Sequence, residues 1–118
     1  MLGRLARMDS IAILDLVEIT ARGKRIPIHV EVGRPHPHSR SGWACPILVD
    51  GLDDKVRDIV GEDSLQALCL GMRMVRLHLE CALERGSRLV HPDGDGDTDF
   101  PLEAYFEESS DGNTKPSA

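Results

Sequence analysis

Asp93, Asp95, Asp97 and Asp99 alternate with Gly94, Gly96 and Thr98, and carboxylates at that spacing are the raw material of a calcium loop. An EF-hand loop starting at Asp93 would need glycine at its sixth position and glutamate at its twelfth. The chain offers Thr98 and Ala104 there, and Pro101 interrupts the helix that should follow. The run therefore reads as an acidic turn that could hold a divalent ion only weakly. Histidine is the other ligand type in supply: His36 and His38 flank Pro37, with His29 and His91 elsewhere. No cysteine stands close enough in sequence to complete a zinc set by spacing alone, so neither a metal nor another cofactor is expected.

Nucleophiles are present but unsupported. Ser64, Asp63 and Cys45 have no strand-to-helix elbow, glycine-rich phosphate loop or histidine signature around them. Cys45 and His29 fall on neighbouring strands with different predicted faces. An enzyme made from this chain would have to bring His29, Cys45, Asp63 or Arg57 together in a cleft and shift the pKa of at least one. Arg34, Arg40, Arg57 and Arg88 could form a small anion-binding patch with Trp43, but no aromatic residues interleave with them as nucleic-acid binding would want.

The charge distribution agrees. Residues 1–92 hold 13 Lys/Arg against 12 Asp/Glu, a net of +1, while residues 93–118 hold one Lys against eight Asp/Glu, a net of −7. An acidic end solubilises a chain and argues against nucleic-acid binding, which wants a concentrated basic face. Cys45, Cys69 and Cys81 cannot all pair within one chain and lie in apolar stretches, which points to free thiols in a reducing compartment, the cytoplasm. No apolar run approaches the roughly 20 residues of a membrane span.

With 118 residues the chain suits one domain, expected over 1–106, followed by an acidic disordered tail at 107–118. The elements that must position its side chains read as strands and one helix. Ile11 to Thr20 is rich in β-branched and apolar residues, and Ala21 to Lys24 is a polar turn leading into a second strand. There Ile26, Ile28, Val30 and Val32 share one parity, and Pro27, His29 and Glu31 take the other. Pro27 belongs at the start of that strand or on an edge. Gly33 to Gly42 reads as a surface loop, Trp43 to Asp50 as a third strand with Trp43, Cys45, Ile47 and Val49 in phase, and Lys55 to Val60 as a fourth.

Asp63 then caps a helix over Ser64 to Arg85, with Gln66 completing a capping box and Gly86 placed to end it. On a helical wheel Leu65, Leu68, Met72, Val75, Leu79, Ala82 and Leu83 form one stripe, expected to pack on the sheet. Ala67, Leu70, Met74, Leu77 and Cys81 form a second. Either the segment 99–106, with Phe100, Tyr105 and Phe106, covers that second stripe, or another copy of the helix does. Residues 88–90 add a brief last strand. The expected fold is α+β: a four-stranded, mainly antiparallel β-meander packed against one long helix, with a C-terminal extension folded back over it.

One resemblance follows from the order Gly33-Arg34-Pro35, Trp43-x-Cys45-Pro46, Gly51, Gly61-x-Asp63-Ser64-x-Gln66-Ala67-Leu68 and a closing Asp99-Phe100-Pro101. It resembles a small bacterial domain of unknown function, DUF6968, over about residues 11–102. The resemblance implies a sheet followed by a long helix and brings no established catalytic residues with it. The chain departs from that pattern at Gly71, where alanine would be expected. A mid-helix glycine costs up to about 1 kcal/mol relative to Ala, which invites a close approach by a neighbour at that point.

These observations point to a noncatalytic interaction or structural protein. It is expected to work as a homodimer or with another protein, without nucleic acid or membrane, and with Leu70, Met74, Leu77 and Cys81 as its interface. The rival is a small-molecule-binding module or an enzyme built from the 34–43 loop and the helix N-terminus.

Overall fold

The computed structural model describes residues 8–92 and 98–106. Its frame is a sheet in which every pairing is antiparallel. β1 (Ser10–Ile19) and β2 (Arg25–Gly33) form a hairpin whose turn places Gly23 at φ +89°. β3 (His36–Pro37) and β4 (Trp43–Asp50) follow, and β5 (Asp53–Gly61) turns back against β4. The long strands β1, β2, β4 and β5 make the expected meander.

The sheet has six strands rather than the expected four. β6 (Arg88–Val90) is the brief last strand, and it pairs with Val17 to Ile19 of β1 on the edge away from β2. β3 lies inside the segment read as a loop. β2 and β3 share one edge of β4 but differ by one residue in register: Val32 faces Ile47, whereas His36 faces Ala44. The interruption falls at Gly33, where a Cβ would stand 2.9 Å from Cγ of Pro46. The glycine admits the proline ring, and the chain then resumes pairing with β4. Pro27 precedes the first β2–β4 pair at His29, so its missing donor breaks no ladder bond to β4.

α1 (Ser64–Glu84) starts as its residues dictate: Asp63 Oδ1 accepts from the Gln66 backbone N–H at 2.8 Å, and Gln66 Oε1 accepts from the Glu62 N–H at 2.6 Å. It stops at Gly86, which takes φ +94°. The two-stripe expectation is corrected. α1 buries one broad face that takes Val75, Leu79 and Ala82 from the first stripe, Ala67 from the second, and Gly71 from the gap between them. Leu65 and Leu83, assigned to the packed stripe, are 68% and 39% exposed, while Met74, assigned to the other, packs against the core.

Gly71 sets that face. A Cβ there would lie 2.9 Å from Cδ1 of Ile47 and 3.1 Å from Sγ of Cys45, so the helix is seated directly on β4. Val75 and Leu79 are fully buried, each contributing about 1.5–3 kcal/mol of transfer free energy. They join Leu16, Ile28, Val30, Ile47 and Val49 in one aliphatic core.

The C-terminal extension contains a further short helix, α2 (Leu102–Tyr105). The segment 99–106 is anchored on β6: Asp99 bridges Val90, and the Phe100 N–H donates to Leu89 O at 2.7 Å. Phe100 and Phe106 enter the core, and Tyr105 remains exposed.

Candidate functional site

Alternation along β1 and β2 sends Leu14, Leu16, Ile28 and Val30 into the core and leaves Ile13, Asp15, His29 and Glu31 on the other face of the sheet. The hairpin register sets His29 opposite Asp15. His29 Nδ1 lies 2.6 Å from Asp15 Oδ1 and its Nε2 lies 2.8 Å from Glu31 Oε2. Towards two ionised carboxylates both contacts are donations, and only the imidazolium can make them together. Burial pulls the His29 pKa down, but the hydrogen bonds and charges of Asp15 and Glu31 outweigh it and raise the pKa above 6.5. Glu31 is 1% exposed and accepts a second, short bond from Ser10 Oγ. Asp50 stands opposite His29 on β4.

This relay was missed at the level of sequence, yet its signal was there. His29 and Glu31 share the outward parity of β2, and a turn centred on residues 21–24 sets Asp15 opposite His29. Both ring nitrogens of His29 are engaged by carboxylates, and Ser10 donates to Glu31 rather than to a histidine that could activate it.

A second polar cluster lies in an open groove of about 630 Å³ between β5 and α1, lined by Asp53, Val56, Arg57, Ile59, Met74 and His78. Arg57 donates to both Asp53 oxygens, at 2.8 and 3.2 Å. That guanidinium holds the Asp53 carboxyl below its usual range. His78 Nε2 is 3.8 Å from Asp53 Oδ2.

The four groups from which an enzyme was to be assembled do not converge. His29 is on the outer face and Cys45 is in the core, donating to Gly33 O at 3.4 Å. Burial, with the Asp58 charge, pushes the Cys45 thiol pKa up, so it stays protonated and inert. Asp63 is occupied as the helix cap, and Arg57 lies in the groove. Ser64, at the start of α1, is exposed.

Around the 34–43 loop, Arg34 pairs with Asp9 at 3.0 Å, and Arg40 and His38 share a long 3.4 Å contact. Of the calcium-like run, Asp93, Asp95 and Asp97 lie outside the described residues, and Asp99 pairs with Arg88 at 2.9 Å. Among the described residues no group of three or more His, Cys, Asp and Glu side chains is placed to hold a metal ion, and no helix is long and apolar enough to cross a membrane.

Of the residues expected at an interface, Leu77 is 49% exposed, Cys81 is exposed, Leu70 is half-buried and Met74 lines the groove. Met74 is the one of the four that lines the groove beside β5.

No curated protein and no solved structure matches the chain. The family model of a domain of unknown function, DUF6968, matches residues 16–102, from the middle of β1 through the helix to the first residue of α2. That match takes in most of the sheet, all of α1 and the segment bound to β6, and the chain therefore belongs to the DUF6968 family.

Proposed function

We propose that the chain is a noncatalytic interaction protein of the cytoplasm that associates with itself and offers the α1 flank, Leu70, Met74, Leu77 and Cys81, to a partner chain. One observation carries this reading: Leu77 and Cys81 stand exposed on α1, successive turns beyond the groove-lining Met74, while Ala67, Gly71, Val75, Leu79 and Ala82 bury the face that packs on the sheet. An apolar strip of that kind is the ordinary mark of a protein contact. The engagement of both His29 ring nitrogens by carboxylates and the burial of the Cys45 thiol support a noncatalytic role. Three thiols outside disulfides suit a reducing compartment.

The test is solution mass by light scattering over a range of concentrations. A mass near twice the 13.0 kDa of one chain supports self-association, and a single-chain mass at every concentration overturns it.

The groove beside β5 favours a second reading, a small-molecule-binding module, because Arg57, Asp53 and His78 converge there over an apolar floor. A compound that raises the Tm of the chain, but not that of Arg57→Ala, would support it. A broad screen without such a compound would count against it.

A further inference from the structure

The two edges of the sheet are built differently. Among the described residues β5 pairs only with β4, and five of its nine residues are charged: Asp53, Asp54, Lys55, Arg57 and Asp58. A two-fold axis centred at Val56 would set Asp54 against Asp58 and Lys55 against Arg57. Centred at Asp54, Lys55, Arg57 or Asp58, it would set a charge against its own copy. Charge of this kind blunts an edge against pairing.

The opposite edge is not guarded in this way. β6 pairs with β1 only at Val17 to Ile19. Among the described residues, Ser10 and Ala12 to Leu16 pair on one side alone, with β2, and the register shifts between Ser10 and Ala12. The open stretch reads Ser-Ile-Ala-Ile-Leu-Asp-Leu, with Asp15 its one charge and Ile11 and Ile13 44% and 59% exposed. An open edge with a single charge and exposed isoleucines is a template for another strand.

Resting on the reading that the chain self-associates, we infer that its partner on this edge is a second copy, joined β1 to β1 about a two-fold axis at Ile13. In that register Ala12 faces Leu14 of the second copy, on the side of the sheet that carries the core. Ile13 meets its own counterpart on the other side, no like charges meet, and the regular slot ends at Ala12, where the register of β1 shifts. The slot is self-limiting, because β6 occupies the edge from Val17 onward. The joined sheet then ends at both extremes in the charged β5, so association closes at two copies instead of growing into a fibre. The α1 flank stays free for another partner.

Directly opposed residues of an antiparallel pair have Cα atoms about 4.5–5.5 Å apart, within the roughly 4.4–6.8 Å that a disulfide spans. The experiment therefore uses Ile13→Cys in a Cys69→Ser, Cys81→Ser background, beside Ile13→Lys and Leu77→Glu in the native chain. Under mild oxidation most of the Ile13→Cys chain is expected to run as a disulfide-linked dimer. Ile13→Lys is expected to halve the solution mass while its circular dichroism stays native, and Leu77→Glu is expected to keep the dimer mass.

If Ile13→Cys fails to cross-link, or Leu77→Glu halves the mass while Ile13→Lys does not, the β1 edge is overturned and self-association through α1 stands. A single-chain mass for the unaltered protein overturns both. Should Ile13→Lys not fold, the cross-link alone decides.

Discussion

Glu31 and His29 lie two residues apart on β2, point to the same face of the sheet, and meet at 2.8 Å between Glu31 Oε2 and His29 Nε2. Glu31 is 1% exposed, so its charge is tolerable only because the imidazolium and Ser10 compensate it. A histidine whose folded pKa is raised stabilises the fold fully below its unfolded pKa, near 6.5, and loses that contribution as pH rises through the folded value. Urea denaturation should thus show stability falling from pH 6 into the alkaline range, and His29→Gln should flatten that fall while costing about 1–3 kcal/mol at pH 6. In Glu31→Gln the His29 titration midpoint, followed by NMR, should move down.

Two glycines predict unequal costs. A Cβ on Gly71 would press on side chains, Cδ1 of Ile47 and Sγ of Cys45, and alanine there also gains about 1 kcal/mol of helix propensity. A Cβ on Gly61 would lie 2.6 Å from the backbone nitrogen of Ala67, which cannot yield without moving the helix. Overpacking costs about 1–3 kcal/mol in general, so thermal unfolding should find Gly61→Ala at or above the top of that range and Gly71→Ala near its bottom.

Thiol labelling should separate the cysteines. Cys69 and Cys81 are exposed, and Cys45 is buried with a raised pKa. A colorimetric thiol reagent at pH 8 should label two groups quickly and the third only as fast as the chain unfolds. Three fast thiols would contradict the core position of Cys45.

Much of this was legible from local chemistry. The alternation of Trp43 to Asp50 is the whole of β4, and Asp63 and Gly86 bracket α1 because capping depends on a few neighbouring residues. The buried face of α1 was harder to read, because Gly71, which has no side chain to register as apolar, marks the line of closest approach. β3 was hidden in a stretch that looks like loop, since pairing there depends on Pro46 meeting Gly33 from another strand. The relay around His29 required reading parity and turn register together, and neither alone points to it.

Glu18 links the two ends of the described fold. It is 2% exposed and accepts from Ser87 Oγ at 2.6 Å and from an Arg85 guanidinium nitrogen at 3.0 Å. These partners follow α1, on the stretch that leads into β6. The meander can zip up from neighbouring hairpins, but the Glu18 carboxylate stays without these two donors until the helix has crossed back and β6 has docked on β1. Loop closure of that length comes late and its entropic cost must be met before any contact repays it. The Glu18 carboxylate thus ties β1 to the residues after α1: a chain that lacks the residues after Glu84 has neither donor for it.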